Sequence, residues 1–205
     1  MIVDTLRKLT RRLRGRGIEI SDAAWEGEFS SGHWAFLGDL GELARYSIIA
    51  GYLAFLKPGG SILDIGCGEA ILLRRLDPAS FKSYVGVDIS EAAIESVSSY
   101  EHDKAAFVTG SAATFVPTDS FSSIVFNEML YYCDDPIQIL RRYEGFLEEG
   151  GIFIVSMMTT IRTTIIWNKL KRRYRFVDET KIRRKRGGRW SCRVLMVPDA
   201  KSVAR

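Results

Sequence analysis

Between residues 60 and 197, short apolar runs alternate with segments of helical periodicity. No other feature constrains the fold as strongly. "SILDIG" (61–66), "YVGVDI" (84–89), "AAFVTG" (105–110), "FSSIVFN" (121–127) and "GGIFIVSMM" (150–158) read as buried strands. Helix patterns lie over 69–76, 90–100, 136–147 and 161–173; Ser90 caps the second, with acids in its first turn, and Pro136 opens the third. Strands that alternate with helices pair in parallel and are covered on both faces. At the end, "KIRRKR" and "RWSCRVLMV" flank Gly187-Gly188. A two-residue glycine turn between extended runs reads as a hairpin, so the last strand is expected to be antiparallel. Upstream, residues 39–56 read as a helix that Pro58-Gly59-Gly60 stops.

The first strand runs into "ILDIGCGEA" (62–70). Glycines at a strand-to-helix turn let the backbone approach a ligand, with the helix N-terminus aimed at it. The dinucleotide fingerprint G-x-G-x-x-G fails, because the sixth position from Gly66 is Ile71. The pattern present is D-x-G-x-G-x-A, with Asp64 at the strand end facing the ligand. A carboxylate there repels a pyrophosphate and attracts an amine or a sulfonium.

Asp64, Gly66 and Gly68, with Ala70 in place of a third glycine, resemble the first motif of the class I S-adenosylmethionine-dependent methyltransferases. The resemblance extends over about residues 40–197. It implies an α/β fold: a Rossmann-like, seven-stranded, mostly parallel sheet with helices on both faces and a C-terminal antiparallel hairpin. It also implies S-adenosyl-L-methionine as cofactor and S-adenosyl-L-homocysteine as product. The cofactor residues carried over are Asp64, Gly66, Cys67 and Gly68 in the turn, with Ala70 entering a helix. Asp88 would accept the ribose hydroxyls beside Ile89. Ser111, where the family usually has Asp, and the amide of Ala112 would meet the adenine. Asn127 and Glu128 fall where the family lines the methionine and acceptor pocket. Arg45 either approaches the methionine carboxylate or pairs on the surface. "NEMLYYCDD" (127–135) is similar to a segment of the methyltransferases that N-methylate chitooligosaccharide nodulation signals, which points to a saccharide or small-molecule acceptor.

Methyl transfer is an in-line displacement in which the cofactor supplies reactivity and the protein supplies position. A hydroxyl acceptor needs a base in reach. Glu128 and His33 are the candidates, with Trp34, Tyr131 and Tyr132 orienting the acceptor. The plainer readings are that Asn127 and Glu128 cap the next helix, that His33 is a surface residue, and that Trp25, Phe29 and Trp34 are core.

The chain divides into a basic amphipathic helix (1–17), a lid over the cofactor (18–46) and a methyltransferase core (47–205). Ile2, Leu6, Leu9 and Leu13 form an apolar stripe flanked by arginines. This helix either lies on an anionic membrane surface, as suits a lipid-linked saccharide acceptor, or packs on protein.

Residues 1–17 carry six Lys/Arg against one acid, residues 18–159 eight against twenty-one, and residues 160–205 fifteen against three. Basic ends therefore flank an acidic middle, and either the two pair or the ends meet an anionic partner. No apolar run reaches the roughly 18–20 residues that cross a membrane, and the basic start lacks a secretory signal's apolar run. Cys67, Cys133 and Cys192 are scattered, with no metal-type spacing, as expected of cytoplasmic thiols. A protein of this kind would be cytoplasmic, or held at the inner face of the membrane. Two alternatives remain: an RNA methyltransferase served by the basic ends, and a binding protein that holds the cofactor without catalysis. Nucleic acid is disfavoured, because Asn127 is followed by Glu128-Met129 rather than by the N/D-P-P-Y/F of many RNA modifiers.

Overall fold

The computed structural model describes residues 22–98, 103–185 and 187–198. The expected helix at 1–17, and with it the choice between a membrane surface and packing on protein, lies outside the described residues. Five α-helices are described: α1 (Asp22–Ser30), α2 (Leu40–Leu56), α3 (Glu91–Ser98), α4 (Pro136–Glu144) and α5 (Ile161–Lys171). The strands are β1 (Gly60–Ile65), β2 (Phe81–Asp88), β3 (Ala105–Thr109), β4 (Phe121–Asn127), β5 (Leu147–Met158), β6 (Arg175–Arg183) and β7 (Arg189–Met196). They form one sheet in the order β3-β2-β1-β4-β5-β7-β6. The first five are parallel, and β7 lies antiparallel between β5 and β6. This is the expected Rossmann-like sheet with its C-terminal hairpin.

Adjacent strand residues point to opposite faces, and both faces are buried. Leu63, Ile124 and Phe153 face one core with Leu140 of α4 and Leu170 of α5. Ile62, Val125 and Ile154 face the other with Ile49 and Leu53 of α2. That two-sided burial is why these strands read as near-continuous apolar runs.

Three elements differ from expectation. Residues 69–76 form turns and a short 3-10 helix (Leu73–Arg75), because Ala70 adopts φ 51° and breaks α-helical continuity at its start. The hairpin connection spans 184–188, longer than two residues, with the amide of Arg184 donating to the Gly188 carbonyl. Finally, α2 runs unbroken across residues 46 and 47, so the boundary expected there between lid and core falls inside one helix.

Candidate active site

A cavity of about 840 Å³ opens where the parallel strands end. Ligands of open α/β sheets bind at that edge. The sheet order sorts the lining residues. The tips of β1, β2 and β3 bring Gly66, Cys67, Gly68, Asp88, Ile89, Ser111 and Ala112 to one half. The tips of β4 and β5 and the start of β7 bring Asn127, Glu128, Met158 and Trp190 to the other.

The glycine turn is left-handed at Gly66 (φ 77°), Gly68 (φ 52°) and Ala70. A Cβ on Gly66 would lie 2.8 Å from Cβ of Met129, so only glycine fits there. The amides of this turn do not point at a ligand. Gly66 and Cys67 both donate to the Val87 carbonyl, at 2.8 and 3.1 Å, and Gly68 donates to Asp88 Oδ2 at 2.8 Å. The glycines thus clamp the turn onto the end of β2. Burial pushes the Cys67 thiol well up, so it is a neutral wall of the cavity.

Asp88 also accepts the Ser90 amide at Oδ1, at 3.0 Å. A carboxylate has about four acceptor positions, so capacity remains toward the cavity. Burial holds its pKa above the ordinary value, against the amides that favour ionisation. Ser90 caps α3 as expected, its Oγ accepting the Ala93 amide at 3.1 Å.

Asp64 does not face the cavity. It lies wholly buried beneath the turn, where Tyr84 Oη donates to its Oδ2 at 2.5 Å. Desolvation raises its pKa to about 7. Ser111 lines the cavity, with its Oγ accepting the Ala113 amide at 3.3 Å.

Arg45 is buried at the cavity wall rather than paired on the surface. It donates to Asn127 Oδ1 at 2.5 Å and to Glu42 Oε2 at 2.9 Å. The other oxygen of Glu42 accepts Arg184, from the hairpin tip. Glu42, Arg184 and Trp190 are site residues that sequence reasoning missed. Only the dense basic run around Arg184 hinted at a role.

Glu128 adopts φ 61°, uncommon for a residue with a side chain and typical of functional positions. Its Oε1 accepts Ser156 Oγ at 2.8 Å; its Oε2 accepts the Met158 amide at 3.0 Å and Tyr131 Oη at 2.9 Å. Neither Asn127 nor Glu128 caps the following helix, since Asp135 caps α4. Burial raises the Glu128 pKa, with Arg45 opposing.

The roof of the cavity is aromatic. Trp25 stacks on Trp34 at 5.7 Å and meets Tyr132 edge-on at 4.8 Å. Phe29 and Phe36 complete the wall, so these rings line a cavity rather than a core. Glu26 latches α1 to α3, accepting Ser90 Oγ at 2.8 Å and the Ala92 amide at 3.0 Å. His33 is exposed, its ring edge-on to Trp34 at 5.2 Å, and it does not line the cavity. It is not brought together with Glu128, because the turn after α1 directs it outward. Among the described residues no cluster of His, Cys, Asp and Glu could hold a metal, and no helix is long and apolar enough to cross a membrane.

Two buried polar atoms on residues that line the cavity lack a protein partner, Arg45 Nε and Trp34 Nε1. With Asp88 the cavity offers a carboxylate for hydroxyls and a guanidinium for a carboxylate. That donor set fits S-adenosylmethionine, which carries both groups. A methyltransferase domain model matches residues 40–196. The chain belongs to this methyltransferase family. It is a class I S-adenosylmethionine-dependent methyltransferase domain by family and fold, and the family draws its methyl group from S-adenosylmethionine. The fold is similar to that of N-methyltransferase NodS from Bradyrhizobium japonicum WM9, solved with S-adenosyl-L-homocysteine (TM-score 0.68, 17% identity, 81% of this chain and 92% of that one). It is also similar to the 1,6-didemethyltoxoflavin-N1-methyltransferase of Burkholderia thailandensis (TM-score 0.73, 14% identity, 87% of each chain). In sequence, a mitochondrial ubiquinone biosynthesis O-methyltransferase of Candida albicans is 28% identical over 114 residues, 52% of this chain and 34% of that protein. The match thus spans about a third of that relative's length.

Proposed function

We propose that this methyltransferase moves a methyl group from S-adenosylmethionine to an oxygen or nitrogen atom of a small molecule. The observation that carries this reading is Glu128. It is a half-buried carboxylate in a left-handed backbone position, on the cavity wall at the tip of β4. Two of the relatives named above, the 1,6-didemethyltoxoflavin-N1-methyltransferase and the ubiquinone biosynthesis O-methyltransferase, carry small molecules in their names. When bound, S-adenosylmethionine supplies the electrophilic methyl. Asp88 holds ribose hydroxyls, and Arg45 meets the methionine carboxylate. Glu128 Oε1 has one donor, Ser156, and receives the proton that the acceptor sheds. Its raised pKa suits a base that must hold that proton. Trp25, Trp34 and Tyr132 present flat faces on which a ring-shaped acceptor, a saccharide among them, would stack. A lipid-linked acceptor would go with the membrane alternative for residues 1–17, which lie outside the described residues.

The test is calorimetry with S-adenosylhomocysteine, then transfer of labelled methyl into small-molecule fractions by wild type and Glu128→Gln. Expected are cofactor affinity within about threefold in both, and a loss of turnover of about 10²–10⁴ in the variant. Tight binding with no transfer by wild type would leave a cofactor-binding protein, and transfer unchanged in Glu128→Gln would move the base elsewhere.

A further inference from the structure

Ser90 joins two carboxylates. Its amide donates to Asp88 Oδ1 at 3.0 Å, and its hydroxyl donates to Glu26 Oε2 at 2.8 Å. Asp88 ends β2 and lines the cavity, where the proposed function puts the ribose hydroxyls. Glu26 lies on α1. Its other oxygen accepts the Ala92 amide at 3.0 Å. That is a first-turn amide of α3 that Ser90 leaves unmet, because the Ser90 hydroxyl accepts from Ala93. A helix N-terminus favours a negative charge. Glu26 thus caps α3 from a separate element.

Glu26 fixes two rings by this bond. Trp25 and Phe29 lie one helical turn apart on α1, and both line the cavity. Phe29 lies against the glycine turn, where a Cβ on Gly68 would be 3.5 Å from its ring. Trp25 meets Tyr132 edge-on at 4.8 Å. So α1 touches the segments that follow β1, β2 and β4, on both sides of the place where the cofactor motifs converge.

Charge makes this attachment conditional. Burial raises the Asp88 carboxyl, and the charge of Glu26 adds to the effect. The two carboxylates repel, and Glu26 is only half-buried. Hydroxyls that donate to Asp88 would disperse its charge and ease the repulsion on Glu26. By linkage, a ligand that strengthens the attachment of α1 is itself held more tightly by it.

We propose that Glu26 is a positioning residue for the cofactor: through Ser90 it couples occupancy of the ribose site at Asp88 to the docking of α1 on α3, and so sets how long the cofactor stays bound. The proposal rests on the methyltransferase reading and names a control on its cofactor site.

The experiment uses the full chain and labelled S-adenosylhomocysteine. Its association is timed on mixing, and its release after a chase with unlabelled compound. Wild type is compared with Glu26→Ala and Glu26→Gln. Glu26→Ala is expected to release the ligand about tenfold or more faster, within the usual range of coupling between sites. Association is expected to stay level or rise by up to about threefold, because the site itself is intact. Glu26→Gln keeps one acceptor oxygen without the charge, and its release rate should fall between the other two. Chymotrypsin, which cuts after Trp25 and Phe29, gives a second readout. Saturating S-adenosylhomocysteine should protect α1 in wild type and lose that effect in Glu26→Ala. Release within about twofold of wild type in Glu26→Ala would overturn the proposal, as would equal protection of α1 in both proteins. Association slowed as much as release is hastened would also overturn it, since that marks a distorted site. Failure of wild type to bind S-adenosylhomocysteine at the outset would instead sink the methyltransferase reading itself.

Discussion

Asp64 on β1 and Tyr84 on β2, set diagonally two residues apart in register, share a hydrogen bond of 2.5 Å in which both side chains are wholly buried. One oxygen of Asp64 is satisfied and the other has no protein partner. Burial raises this carboxyl to about 7, from an unfolded value of about 3.9. The folded protein therefore binds the proton more tightly than the unfolded chain. The stabilising contribution is complete below about pH 4 and is lost as pH rises through 7. Each unit is worth about 1.4 kcal/mol. Denaturant unfolding without cofactor should show stability falling between about pH 5 and 8. Asp64→Asn, still able to accept from Tyr84, should flatten that slope. An unchanged slope would place the titrating group elsewhere.

The turn offers a comparison of neighbours. Gly66→Ala meets both a left-handed backbone and Met129, whereas Gly68→Ala meets a left-handed backbone (φ 52°) but only ordinary contact with Phe29 at 3.5 Å. Loss of stability should be about 2–3 kcal/mol for the first and about 1 kcal/mol for the second. Ala70→Gly should be neutral or stabilising by up to about 1 kcal/mol, since φ 51° is strained for alanine. Urea midpoints of the three variants would decide the ranking.

Asp88→Ala removes the acceptor of two backbone amides as well as the expected ribose contact. S-adenosylhomocysteine affinity should fall by at least about 1.5 kcal/mol, and stability by about 1–3 kcal/mol. Calorimetry that finds affinity unchanged would move the ribose site away from β2.

Tyr131 donates to the carboxylate proposed as base. That bond favours ionised Glu128, so Tyr131→Phe should raise a pKa that burial has already raised. The carboxyl carbon of labelled Glu128, followed by NMR across pH, should titrate higher in the variant. A lower midpoint would contradict the arrangement.

Glu42 is the single carboxylate shared by Arg45 and Arg184. Glu42→Gln leaves the buried Arg45 guanidinium without its ion pair, and should cost about 3–5 kcal/mol in denaturant unfolding. A loss below about 1 kcal/mol would show that Asn127 alone satisfies Arg45.

The five parallel strands were legible because both of their faces are buried, so each reads as an apolar run wherever it falls. The half of the cavity built by β1, β2 and β3 was legible for a related reason. Gly66, Gly68 and Asp88 are local devices at strand ends, and their spacing survives in the sequence. The helix expected at 69–76 failed because apolar periodicity at Ile71, Leu72 and Leu76 records burial, not the left-handed φ of Ala70. Asp64 was placed correctly at a strand end, yet its direction depended on Tyr84, a tertiary partner. Glu42 and Arg184 stand 142 residues apart, and no local pattern joins them. His33 was a candidate by residue type and by its place on the expected lid, and neither carries information about which way a turn points its side chain.

Because the sheet order deals donor residues to β1–β3 and the remaining walls to β4, β5 and the hairpin, the pocket is modular. The hairpin tip is tied to the cavity wall under α2 through the bridge Arg184–Glu42–Arg45, formed by side chains beside the cavity rather than by the sheet. Swapping the tip while keeping Arg184 thus offers a route to retargeting this catalyst toward new acceptors without rebuilding its donor site.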